Sequence, residues 1–317
     1  MTRYARQMIL PQIGAAGQSR LARAHVLVVG AGGLGVPVMQ YLVGAGVGQI
    51  TLVDPDEVAE HNLHRQPLYR MDQIGQPKAI AAANLLAALN PDTRITPVIA
   101  WLDPANAPDW LAAADIVLDC ADTFAVSLTL SDLCHRRGTP LITASALALS
   151  GYVAACCGPA PSLRAIFPDL PERGATCATA GVMGPVVGTM GGLQAQMALS
   201  VLLGLSPSPL GQLISLDAGH WRMGGFRFDD APEPLHPLPF VARSQIRAGD
   251  QLIDLRTEAP PFCATARHVP PLDITNLTPL DDVRVVLACT TGLRAHNAGQ
   301  TLQTHWQGDI ALLALND

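Results

Sequence analysis

Charge is scarce in this chain of 317 residues: Asp, Glu, Lys and Arg make up 15% of it, and 26 acidic against 20 basic residues leave a formal net charge of −6. With no basic surplus there is no field to hold a phosphodiester backbone, which weighs against nucleic acid as a partner. The opening MTRYARQMIL lacks the continuous apolar run of an export signal, so a cytoplasmic location is expected. The seven cysteines lack the spacing of a disulfide framework and read as reduced thiols. Charge vanishes from Gly174 to Leu216, where no Asp, Glu, Lys, Arg or His occurs. Pro185, Gly191, Gly192, Gln194 and Gln196 interrupt that stretch, and no basic or aromatic cluster flanks it. The expectation is a helix buried inside the protein or between subunits, and no membrane partner.

What is present is an alternation of short β-rich runs with helical patterns. HVLVV (25–29), QITLV (49–53), RITPVI (94–99), DIVLDC (115–120) and PLITAS (140–145) read as strands. Between them, 33–45, 77–90 and 124–137 read as helices, with Pro77 in a first turn. This order predicts an α/β fold: a Rossmann-like, mostly parallel sheet with helices on both faces, binding its ligand at the carboxyl ends of the strands. Prolines at 232, 234, 237 and 239 predict an extended, semi-rigid connector that lets a following small α/β unit swing over the ligand site. The expected organisation is a nucleotide-binding domain over 1–230, a linker over 231–242 and a small domain over 243–317.

Gly30, Gly32 and Gly35 have the G-x-G-x-x-G spacing of a dinucleotide-binding turn, with Gly33 between them. Small residues there let backbone N–H groups approach a phosphate at a helix N-terminus. Asp54 ends the next strand, where a carboxylate can accept from ribose hydroxyls. To this point NAD and ATP are served equally, and an NAD-dependent oxidoreductase stands as an alternative. Asn62, Arg65, Gln66 and Lys78 follow in the stretch DPDEVAEHNLHRQPLYRMDQIGQPKA, which also carries Asp56. Two cations suit a triphosphate better than a pyrophosphate linker. Asp119 and Asp122 in DCADT add hard oxygen ligands for Mg²⁺.

These residues reach a known pattern. RYARQ, GAGGLG, DPDEV, NLHRQ, GQPKA, DCAD and TCATAGVMGP occur in order over about residues 3–230, and together they resemble the ThiF/MoeB branch of the ubiquitin-activating-enzyme superfamily. The resemblance implies ATP-dependent adenylation of the C-terminal glycine of a small ubiquitin-like sulfur carrier protein ending in Gly-Gly, in thiamin, molybdopterin or related biosynthesis. A carrier-docking scaffold without catalysis is the non-enzymatic alternative. The resemblance also implies a homodimer, with Arg6 reaching the neighbouring subunit's nucleotide, Asp54 on the ribose, Asn62, Arg65 and Lys78 on the triphosphate, and Asp122 on Mg²⁺. Thr123 departs from the family's usual asparagine. Cys177 matches a cysteine that forms or resolves a bond to the activated carrier. Many members carry two C-x-x-C pairs for a structural zinc; here Ser162 and Ala165 stand at the first and no C-x-x-C follows SLDAGHW, so no zinc site is expected.

The C-terminal LIDLR, ARHVPPLDI and VVLACTTGLRA resemble a short rhodanese domain. Cys289 to Arg294 is a C-x₄-R loop between a strand and a helix, sized to turn N–H groups around one sulfur. A sulfurtransferase role for Cys289, supplied by a donor such as a cysteine desulfurase, is the implied expectation.

Overall fold

In a computed structural model describing residues 3–171, 180–256 and 259–315, the alternating runs form one twisted sheet. Its strands are β1 (His25–Val29), β2 (Gln49–Val53), β3 (Arg94–Val98), β4 (Ile116–Asp119), β5 (Pro140–Leu147), β6 (Ser150–Cys157), β7 (Gln212–Asp217) and β8 (Arg222–Arg227). They lie in the order β3-β2-β1-β4-β5-β6-β7-β8. The first five are parallel, and from β5 onward neighbours run antiparallel. Strand order reverses between β1 and β4, which opens a crevice at their carboxyl ends. Val26, Leu27, Val28, Ile116, Val117 and Leu118 are each 0% exposed; strands covered on both faces read as unbroken apolar runs for that reason.

The helices are α1 (Ala5–Met8), α2 (Gly14–Arg23), α3 (Gly35–Ala45), α4 (Lys78–Leu89), α5 (Ala107–Leu111), α6 (Phe124–Arg137), α7 (Leu163–Ile166), α8 (Gly184–Leu203) and α9 (Leu293–Gln303). One core contains α3, α4 and α8 against one face of the sheet, and a second contains α5, α6 and α7 against the other. The uncharged stretch supplies α8, which by length and composition alone could cross a membrane; half of it is buried, packed on α3, β5 and β6. A Cβ on Gly191 would stand 2.6 Å from the Leu34 carbonyl oxygen, so the two helices meet backbone to backbone there.

A second sheet of β9 (Gln251–Asp254), β10 (Arg267–His268), β11 (Val285–Cys289) and β12 (Ile310–Ala314) has the order β10-β9-β11-β12, all parallel. One face of it continues the α5–α6–α7 core through Ile253, Leu287 and Leu312. Segment 231–242 is extended, as its prolines require, but it is not a free tether. Leu238, Phe240 and Ala242 are buried, the Val241 N–H donates to the Leu312 carbonyl, and the Leu312 N–H donates to that of Pro239. The Arg164 guanidinium donates to the Leu238 carbonyl (2.9 Å), and the Ser162 N–H and hydroxyl donate to the Glu233 carboxylate (2.6 and 2.5 Å). The expected swinging of the small unit is therefore corrected. An extended segment leaves its peptide groups free to pair sideways, and here both neighbours take them.

Candidate functional site

At the crevice between β1 and β4 lies a cavity of about 820 Å³. Gly30, Gly32 and Gly33 line it where β1 turns into α3, while Gly35 shapes the turn from behind. Gly30 has φ +101° and a Cβ there would stand 2.6 Å from the Cys120 carbonyl oxygen; a Cβ on Gly35 would collide with the Gly30 carbonyl. Ala31 is gripped from both sides: its N–H donates to the Asp54 carboxylate (2.6 Å) and its carbonyl accepts from the Tyr69 hydroxyl (2.8 Å). Burial raises the Asp54 carboxyl above the usual range, opposed by the Ala31 N–H and by Lys78. Burial likewise raises the Tyr69 hydroxyl, which sequence reasoning missed because a lone tyrosine carries no pattern.

The side of the cavity built by the chain after β2 carries Asp56, Asn62, Arg65, Gln66 and Lys78. Lys78 opens α4 and is 4% exposed, with its ammonium 2.8 Å from the Asp56 carboxylate. A buried cation needs such a partner, and an incoming phosphate can take over that role. The Arg65 guanidinium lies 3.2 Å from the His61 carbonyl and 2.8 Å from His64 Nε2, with no carboxylate partner among the described residues.

Asp122, just past β4, is an exposed carboxylate lining the cavity and accepts no hydrogen bond among the described residues. Asp119, expected as a second hard ligand, is not one. It is 0% exposed, and its oxygens accept from Thr143 Oγ1 (2.7 Å), the Ala121 N–H (3.2 Å) and the Ser127 side chain. Alternation along β4 turns it into the sheet, and burial raises its carboxyl. Gln66 Oε1 and Thr123 Oγ1 line the same cavity, buried and without a hydrogen-bond partner among the described residues. Orphaned polar atoms beside an open glycine turn and two cations fit a phosphorylated ligand. Among the described residues no three His, Cys, Asp or Glu side chains could hold a metal ion together; one carboxylate plus phosphate oxygens and water is the usual Mg²⁺ set, and Asp122 fits it.

The profile of the ThiF family matches residues 4–235, the span that builds the large sheet and this cavity. The chain belongs to the ThiF family. Over 226 residues it is 44% identical to the sulfur carrier protein adenylyltransferase of Thermus thermophilus, covering 69% of this chain and 83% of that protein. It is 40% identical to the SAMP-activating enzyme E1 of Haloferax volcanii, covering 69% of this chain and 82% of that one. The pig adenylyltransferase and sulfurtransferase MOCS3 is 43% identical over 68% of this chain, and the match covers 48% of MOCS3. Among solved structures, MccB of E. coli superposes with a TM-score of 0.64 at 21% identity, over 74% of each chain, a likeness of fold.

The remaining predicted positions of this ThiF-family protein fall elsewhere. Arg6, on α1, is exposed and does not line the cavity. Cys177 lies outside the described residues. Cys289 ends β11 and is 1% exposed, and its sulfur accepts from the Gly292 N–H (3.2 Å) and the Ala295 N–H (3.4 Å). The loop around it is pressed onto the large domain: a Cβ on Gly292 would stand 2.6 Å from Phe240 Cε1 and 2.9 Å from Ala125 Cβ. Ala125 belongs to the first turn of α6, directly after Asp122, Thr123 and Phe124 of the cavity wall.

Proposed function

We propose that this ThiF-family protein adenylates the C-terminal glycine carboxylate of a ubiquitin-like sulfur carrier ending in Gly-Gly. The observation that carries this reading is the single cavity joining Gly32, Asp54, Arg65, Lys78 and Asp122 at the strand switch point. Relatives named as adenylyltransferases support it, and the hydride-transfer alternative is dropped on the same ground. A carrier carboxylate oxygen attacks the α-phosphorus of ATP, the bond from that phosphorus to its bridging oxygen breaks, and pyrophosphate leaves with the electron pair. The N–H groups of Gly32 and Gly33 cradle phosphate, Asp54 accepts from the ribose, and Asn62, Arg65 and Lys78 stabilise charge on the polyphosphate. Asp122 would hold Mg²⁺, which would supply further neutralisation of that charge. No protein nucleophile is needed, because the carboxylate is itself the nucleophile.

Arg6, remote from its own chain's cavity wall, is read as serving a second copy, which makes the working unit a homodimer. The rhodanese-like reading gives Cys289 the sulfur, as a persulfide stabilised by the two N–H groups and fed by a donor such as a cysteine desulfurase. Loading a side chain this buried requires the loop to open. The six described cysteines are all free thiols, which fits a reducing, cytoplasmic compartment. The test is pyrophosphate exchange: it should require a carrier ending in Gly-Gly and disappear in Lys78→Ala. Exchange that survives Lys78→Ala at the wild-type rate refutes the assignment of the polyphosphate site.

A further inference from the structure

The uncharged helix α8 carries two glutamines with different fates. Gln196 is exposed and bonds to Ser200 on its own helix. Gln194, two residues earlier and on the opposite face, is 0% exposed, and every polar atom of its amide is used. The Gln194 Nε2 donates to the Asp119 carbonyl (2.7 Å) and the Ile142 carbonyl (2.9 Å), while Oε1 accepts from the Cys120 thiol (3.5 Å). An amide sunk in an apolar helix costs free energy unless so satisfied, and a leucine would fill the space without the cost. What the amide gains is geometry, because it ties the end of β4 and the third residue of β5 to α8 at the residue where β4 stops being a strand.

That exit is shared by the two halves of the nucleotide site. On one side the Cys120 carbonyl abuts Gly30, so the glycine turn is seated on the peptide that directly follows the one whose carbonyl Gln194 holds. On the other side the chain runs through Ala121 to Asp122, whose carboxylate has no hydrogen bond of its own among the described residues to orient it. Below the exit, Thr143 and the Ala121 N–H lock the Asp119 side chain from within the sheet. The backbone that leads to Asp122 is thus held at its start by the Gln194 amide and the Asp119 carboxylate.

We propose that Gln194 is a positioning residue for adenylation: by fixing the β4 exit it aligns Asp122, and the metal it would hold, with the phosphates on the glycine turn. This rests on the adenylation reading above. The test is calorimetric ATP binding to the full chain, once with Mg²⁺ and once with EDTA, on wild type and on Gln194→Met, which keeps the volume and removes the amide. In the variant, affinity in EDTA should stay within about twofold of wild type, while the tightening given by Mg²⁺ should shrink about tenfold, as for other partners that orient a metal ligand. Thermal stability is followed in parallel, since a packing role alone lowers it and leaves the Mg²⁺ effect unchanged. An unchanged Mg²⁺ effect in a folded Gln194→Met overturns the proposal. If that variant does not fold, Thr143→Val removes a hydrogen bond of Asp119 without touching α8, and the same loss of Mg²⁺ effect is expected and the same persistence is decisive against it. A wild-type protein that binds no ATP in either buffer would instead remove the adenylation reading itself.

Discussion

Replacing Phe240 by alanine should unseal Cys289. The ring is 7% exposed and lies against the backbone of Gly292, on the same spot that touches Ala125. Truncating a buried phenylalanine costs about 3–5 kcal/mol, and the lower end applies because this ring still reaches solvent. The loss falls on the contact of the Cys289 loop with the 231–242 segment, beside Ala125 of the large domain, so it raises the population of the undocked loop. At 1.4 kcal/mol per factor of ten, about 3 kcal/mol corresponds to an open population about 100-fold larger. When opening and closing are fast, a chemical probe reads that population directly. The assay is iodoacetamide labelling of the full chain, resolved cysteine by cysteine by mass spectrometry. Cys263 is the internal standard: it is partly exposed, and a hydrogen bond with Thr265 holds its thiol below the ordinary range. In wild type, Cys289 should lag far behind Cys263; in Phe240→Ala the gap should narrow about 100-fold. Cys134 and Cys156, each 0% exposed, report global unfolding and should stay unlabelled. Equal labelling of Cys289 and Cys263 in the wild type, or an unchanged gap in the variant, refutes the sealed loop.

Gly35→Ala places a Cβ on the Gly30 carbonyl, a backbone contact that cannot step aside; it should destabilise the protein by about 1–3 kcal/mol in urea titrations and abolish measurable ATP binding, whereas an unaltered ATP affinity would contradict the packing of the turn. Mixing Arg6→Ala with Lys78→Ala subunits should restore part of the exchange activity that each lacks alone, and mixed dimers without any rescue would end the shared-site reading. His296, on the buried face of α9, has its pKa held below the ordinary value, first by burial and then by the neighbouring Arg164, with Asn297 and Asp169 opposing. The unfolded chain then takes a proton before the folded one does, so stability present above pH 6.5 is lost as pH falls, by up to about 1.4 kcal/mol per pH unit. Denaturation midpoints of His296→Gln should fall less steeply between pH 6.5 and 5 than those of wild type, and parallel slopes would exclude His296 as the source.

The sequence by itself determined the large sheet, because parallel strands buried on both faces must be unbroken apolar runs. HVLVV, QITLV and DIVLDC could be little else between helical patterns. It also determined most of the cavity wall. Side chains that follow directly on strand ends, Asp54 and Asp122 among them, are placed by chain connectivity alone, and a glycine turn announces itself by spacing. Tertiary structure decided what depends on meeting a distant residue. Asp119 and Asp122 are the same residue type three positions apart, yet the pleat of β4 turns one inward among Thr143, Ala121 and Ser127, while the other, past the strand end, lines the cavity. Tyr69 and Gln194 act through carbonyls that are 38 and 75 residues away in the chain, contacts for which no local pattern exists. The proline-rich stretch showed an extended backbone but not its partners. Only the folded chain shows Leu312, Arg164 and Ser162 holding it down, because extension is a local property of proline whereas docking depends on the surfaces that the rest of the chain brings alongside.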